Sequence, residues 1–275
     1  MSTACGLTNL ATCLPEMFFE FVLSLINSSL QPLLDMVNYL MTEPVVISMF
    51  EPMWAVMAYV LSLFYGLFFL FAGFNLMISG YKRETAKEWL ANVVLMVIFV
   101  QGSYFLYELI IELASLLTSG VMNIIDPDFF LFTIDSYATL GLQLGLMAPY
   151  SFMLTLTVLL LALRYLFVVI GVVFMPFAMF FYFIPPLKAY GKLILNVLLV
   201  LIFVPFFDAV FLFGASALLN IPLFANFNII LSTVAFFSIN LIMLMMILFA
   251  ILKAAFSIIN SDIGRNVKKA VRWFV

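Results

Sequence analysis

Five apolar runs, each long enough to cross a bilayer, dominate this chain. They cover about residues 53–80, 92–118, 150–184, 193–219 and 228–252. A bilayer core takes about 20 apolar residues of helix. The remainder is too small to build a water-facing surface: 9% of the residues are charged and 67% are apolar, against about 25% charged in a typical soluble domain. The expected fold class is therefore all-α, a polytopic membrane protein with about five transmembrane helices. It divides into an extracytoplasmic tail (1–52), a transmembrane domain (53–252, with an outer loop at 119–149) and a basic cytoplasmic tail (253–275). The third run is too long for one upright span and too short for two. It reads as one tilted or kinked helix, with the kink at Pro176, where proline removes a backbone donor.

The basic residues set the orientation. Lys82, Arg83 and Lys87 lie between spans one and two, and Lys188 and Lys192 between spans three and four. Lys253, Arg265, Lys268, Lys269 and Arg272 follow span five. Of the eleven Lys and Arg, this leaves only Arg164 elsewhere. With five spans, all of these loops fall on one side. The other side carries Glu16, Glu20, Asp35, Glu43, Glu51, Asp126, Asp128 and Asp135. The N-terminus is thus expected outside, the C-terminus inside, and the protein in the cell (inner) membrane as a multi-pass protein. Trp54 and Trp89 fall at opposite ends of the first two spans, as an aromatic belt requires.

The segments around the spans carry weaker signals. Residues 1–15 have no basic n-region, so no cleavable signal peptide is expected. Within Glu16–Met41, the polar residues Glu20, Ser24, Asn27, Ser28, Gln31, Asp35 and Asn38 form one stripe at helical period. The stripe points to an amphipathic helix lying on the outer face, or re-entrant, bent at Pro32. A sixth span is the less favoured alternative. Cys5 and Cys13 share the outer side and are either two free thiols or one short-loop disulfide. The 119–149 loop opens on the turn signal Asp126-Pro-Asp128 and continues apolar, so it packs on the outer ends of the spans or dips into the membrane. Gly141 and Gly145 within it are a weak helix-contact signal. The 253–275 tail is basic and amphipathic, an inner-leaflet anchor or a docking helix.

Four ionisable residues fall within spans: Glu108, Glu112, Arg164 and Asp208. A charge at that depth costs about 2.5–3.5 kcal/mol on insertion scales, so such groups usually face protein or water. At about 1.5 Å per residue, Arg164, Asp208 and Glu108 reach a common depth, and Arg164 is expected to pair with Asp208 or Glu108. Pro205, one turn before Asp208, frees a carbonyl in span four and marks a second kink. With no histidine and a net charge of −3, histidine-based catalysis and a basic nucleic-acid surface are excluded. No nucleophile motif, metal-ligand cluster or cofactor signature is present, so neither an enzyme, a metal nor a cofactor is expected.

Two stretches carry a family resemblance. One runs Gly80-Tyr-Lys-Arg-Glu-Thr-Ala-Lys-Glu-Trp-Leu-Ala-Asn92 and leads into Gln101-Gly-Ser-Tyr-Phe-Leu-Tyr107. The other runs from Met175-Pro-Phe-Ala through Ile184-Pro-Pro-Leu-Lys-Ala-Tyr-Gly-Lys192 to Asn196 and Pro205-Phe-Phe-Asp208. With the five-span arrangement, this resembles the TrbL-like polytopic inner-membrane subunits of type IV secretion and conjugation machines, with archaeal CedA-like DNA-transfer membrane proteins as a related comparison. The resemblance spans about residues 53–252. It implies a non-enzymatic channel or platform subunit. Such a subunit forms a homo-oligomer or joins other secretion-machine subunits, depends on a cytoplasmic ATPase, and gives transit to DNA or protein. The alternatives are a small-solute or ion transporter using the Arg164/Asp208/Glu108 layer, or a purely structural membrane subunit. A transporter is expected to show paired halves, and the chain has no internal repeat.

Overall fold

The computed structural model describes residues 10–78, 83–131, 137–221, 224 and 227–260. Its elements, among the described residues, are helical: α1 (Leu10–Thr42), α2 (Glu51–Ser62), α3 (Tyr65–Ile78), α4 (Arg83–Gln101), α5 (Ser103–Met122), α6 (Tyr137–Phe183), α7 (Lys188–Leu218) and α8 (Asn228–Asn260), with short 3-10 turns before α2, after α5 and before α7. Five segments are long and apolar enough to cross a membrane: Ser48–Phe71, Ser103–Met122, Gly145–Phe183, Lys188–Leu218 and Asn228–Lys253. The architecture is that of a multi-pass helical membrane protein.

The helices depart from the expected spans in ways the local chemistry explains. The first run is two helices, because Phe64 N–H bonds to the Leu61 carbonyl at 3.1 Å in a tighter turn. The second run divides at Gly102, a residue without side-chain support for the helix, and the Ser103 hydroxyl bonds to the Val100 carbonyl at 2.7 Å beside the break. The 119–149 segment is less of a loop than its polar start suggests. α5 continues to Met122, and the apolar residues from Tyr137 onward already belong to α6. α6 then runs 47 residues through both Pro149 and Pro176, one helix as the third run's length suggested. At about 1.5 Å per residue it is about 70 Å long, more than twice the hydrocarbon thickness. α1 likewise runs unbroken through Pro32.

The chain forms two compact units. The first comprises Met1–Glu43, Leu117–Ala162 and Phe206–Ile242; the second comprises Pro44–Leu116, Leu163–Pro205 and Met243–Val275. The core of the first holds Phe129, Tyr150, Leu154, Leu161, Leu212 and Phe236, all fully buried. Phe236 packs on Tyr150 and Phe130 at 5.7 and 6.0 Å between ring centres, and the Tyr150 hydroxyl donates to the Phe130 carbonyl at 2.9 Å. The core of the second is built on Val100, Tyr107, Val168, Val172 and Ile202. Trp54 packs on Tyr104 and donates its indole N–H to Ser103 Oγ at 2.8 Å. Trp89 packs edge-on against Phe71 at 5.5 Å. Both tryptophans are half-buried, so each one also braces the hairpin between the first two runs.

Charge divides along the same boundary. The residue ranges of the first unit contain Glu16, Glu20, Asp35, Glu43, Asp126, Asp128, Asp135 and Asp208 but no Lys or Arg. All eleven basic residues fall in the ranges of the second.

α1 shows how sequence periodicity becomes surface. Its core-facing side is Leu23, Ile26, Leu30, Val37, Leu40 and Met41, all buried. The polar stripe at Glu20, Ser24, Ser28, Gln31, Asp35 and Asn38 is exposed. A third side, with Phe18, Phe21, Leu25, Met36 and Tyr39, is apolar and also exposed. One face is thus packed on protein, while one polar and one apolar face are exposed.

Candidate functional site

Arg164, on α6 in the second unit, is a buried charged group, 5% exposed. Its Nε donates to the Leu201 carbonyl at 2.7 Å and its Nη2 to the Ile202 carbonyl at 3.0 Å. Those carbonyls belong to α7 just before Pro205. In an α-helix, the carbonyl of residue 201 receives the N–H of residue 205, and proline has none. The Arg164 guanidinium supplies the donor that Pro205 lacks. A carbonyl left without a donor in an apolar interior costs about 1–3 kcal/mol, so the arginine and the proline form one structural device.

A second contact binds α5 to α6 in the same unit. The buried Tyr107 hydroxyl donates to the Val168 carbonyl at 2.7 Å. It lies against Gly171, where an added Cβ would meet the Tyr107 hydroxyl and, at 2.5 Å, Leu198 Cδ2. At Gly191, in the first turn of α7, an added Cβ would meet the Tyr182 nitrogen, and would lie 2.7 Å from the Ala178 carbonyl oxygen. Gly171 thus makes room for two side chains, and Gly191 lets the start of α7 approach the backbone at the end of α6.

The other residues singled out in the sequence fall as follows. Glu108 is half-buried on α5 and Glu112, one turn on, is exposed. Asp208 is fully buried on α7. Arg164, Glu108 and Glu112 belong to the second unit and Asp208 to the first. Lys188 and Lys192 are exposed at the start of α7, with Lys188 Nζ 5.4 Å from the centre of the Tyr182 ring, a cation–π distance. Arg83 and Lys87 lie on α4, and Cys13 on α1. Lys82, Lys268, Lys269, Arg272 and Cys5 lie outside the described residues, as does most of the basic tail. Among the described residues no group of three or more His, Cys, Asp or Glu is placed to hold a metal ion.

One open cavity of about 380 Å3 stands in the first unit. Its polar wall is Gln31, Asp35 and Asn38 of α1 with Asn123 after α5. Its apolar wall includes Leu34, Val37, Ile125, Phe130 and Phe236. Gln31 Nε2 donates to Asp35 Oδ1 at 2.9 Å. The α1 stripe shows in the sequence as a wetted face. That Asn123 meets it across a cavity does not, because the pairing depends on how α5 ends. By contrast, the Arg164 carbonyl partners are signalled by Pro205, whose missing N–H identifies Leu201 as the carbonyl in need of a donor.

Comparison of the chain with models of known protein families, with curated proteins and with solved structures finds no match.

Proposed function

We propose that the chain is a non-enzymatic, multi-pass subunit of the cell membrane, with its N-terminus outside and C-terminus inside, that forms part of a channel or platform in a type IV secretion-like or conjugative transfer machine. The residue pattern of 80–107 and 175–208, and the placement of every Lys and Arg but Arg164 at span ends expected on one side, support this reading. The observation that carries it over the transporter alternative is the bonding of Arg164. An arginine that serves a charged solute keeps donors for that ligand. Here two guanidinium nitrogens are committed to the backbone of α7 at the proline, which is the role of a scaffold. The long helices and their exposed apolar faces suit contact with lipid and with further subunits.

The test is affinity purification of the tagged full chain from its native membrane in mild detergent. Recovery of a hexameric ATPase and of other small membrane subunits at constant ratio supports the proposal. Recovery of the chain alone, under conditions that preserve other membrane complexes, contradicts it.

A further inference from the structure

We propose that the cavity of the first unit is a binding site for an ammonium group carried on a small apolar body. This inference is independent of the secretion reading. Its volume of about 380 Å3 lies within the range of about 300–1,000 Å3 that small-molecule sites occupy. Its two walls differ in kind: Asp35, Asn38 and Asn123 on one side, Phe130 and Phe236 on the other. Gln31 occupies Asp35 Oδ1, and Oδ2 makes no hydrogen bond among the described residues, so the carboxylate keeps an acceptor for a ligand.

Charge selects the ligand's sign. The sequence ranges of this unit contain acids only, with no Lys or Arg to neutralise Asp35. An anion is repelled, and a neutral ligand makes no use of the carboxylate. A cation gains the carboxylate and the amide oxygens of Asn38 and Asn123, and its apolar body lies along the wall that includes Leu34 and Phe130. The ammonium has two sources, a free amine or the ethanolamine headgroup of a lipid. A lipid headgroup also brings a phosphate, for which the unit offers no basic side chain.

The experiment is equilibrium dialysis on the full chain in phosphatidylcholine nanodiscs, with 2-phenylethylammonium as probe and 3-phenylpropionate as its anionic counterpart. Saturable binding of the ammonium and none of the carboxylate is expected. Asp35→Asn keeps the Gln31 contact, and is expected to weaken ammonium binding at least fivefold. Asn123→Ala, which removes a second polar group of the lining, is expected to weaken it at least twofold. The thermal midpoint of each variant verifies its fold. Repeating the measurement with phosphatidylethanolamine in the disc separates the sources: unchanged probe binding assigns the site to free amines, and competitive loss assigns it to the lipid headgroup. Equal binding of the two counterparts, or binding that neither substitution weakens, overturns the proposal.

Discussion

Replacing Arg164 by Met keeps most of the side-chain volume and removes the donors that serve α7. Two bonds are lost, at 2.7 and 3.0 Å, and a hydrogen bond to a charged group contributes about 1.5–3 kcal/mol. Removing a buried charge offsets part of that loss, so the expected net destabilisation is about 2–4 kcal/mol. The two carbonyls do not suffer equally. The Ile202 carbonyl keeps its ordinary helical donor, the N–H of Phe206, whereas the Leu201 carbonyl has none because of Pro205. Pro205→Ala restores that donor. In the Arg164→Met background it should therefore recover about 1 kcal/mol or more. In the wild-type background it recovers less, because the arginine already fills the place. The assay is reversible SDS unfolding in mixed micelles, followed by the fluorescence of the three tryptophans, across the double-mutant cycle. A loss below about 1 kcal/mol for Arg164→Met, or no recovery on adding Pro205→Ala, would refute the coupling of these two residues.

Three further outcomes follow from packing and placement. Gly191→Ala forces a methyl against the backbone of Tyr182 and Ala178, which cannot rotate away, and should cost about 1–3 kcal/mol. Gly214→Ala, with nothing within 4 Å, should be neutral or stabilise by up to about 1 kcal/mol, and the same unfolding assay reads both. Trp54→Phe keeps the ring contact with Tyr104 but loses the bond to Ser103, at a cost of about 1 kcal/mol; an unchanged midpoint would show that bond to be unimportant. For orientation, single cysteines at Asn123 and Lys192 are placed in a Cys5→Ser/Cys13→Ser background. On intact cells an impermeant maleimide should label position 123 and reach position 192 only after permeabilisation; the reverse pattern would invert the proposed topology.

What the sequence made legible was set by hydrocarbon thickness. The five apolar runs correspond to the five membrane-competent segments, because a bilayer core demands length and apolarity and little else. The helix ends were less legible. The third run is one helix, as its length suggested, and α6 continues through Pro176 and starts earlier than the apolar run, at Tyr137. Gly102 and Phe64 carry the interruptions instead, and neither is a strong breaker by composition. The polar stripe of α1 was visible at helical period, but its third, apolar exposed side was not, because hydropathy does not distinguish protein contact from lipid contact. At Arg164, the sequence indicated a buried group in need of acceptors. The backbone carbonyls around the Pro205 defect entered only with the geometry, although Pro205 names one of them by arithmetic.

The central claim is that this chain is a scaffold within a larger membrane assembly. Native mass measurement of the full chain in nanodiscs, run beside a solute-flux assay in liposomes, tests it most directly. Masses at multiples of the single chain, or at its sum with co-purified subunits, are expected, with no solute flux. A strict monomer that moves a solute across the liposome membrane would contradict it.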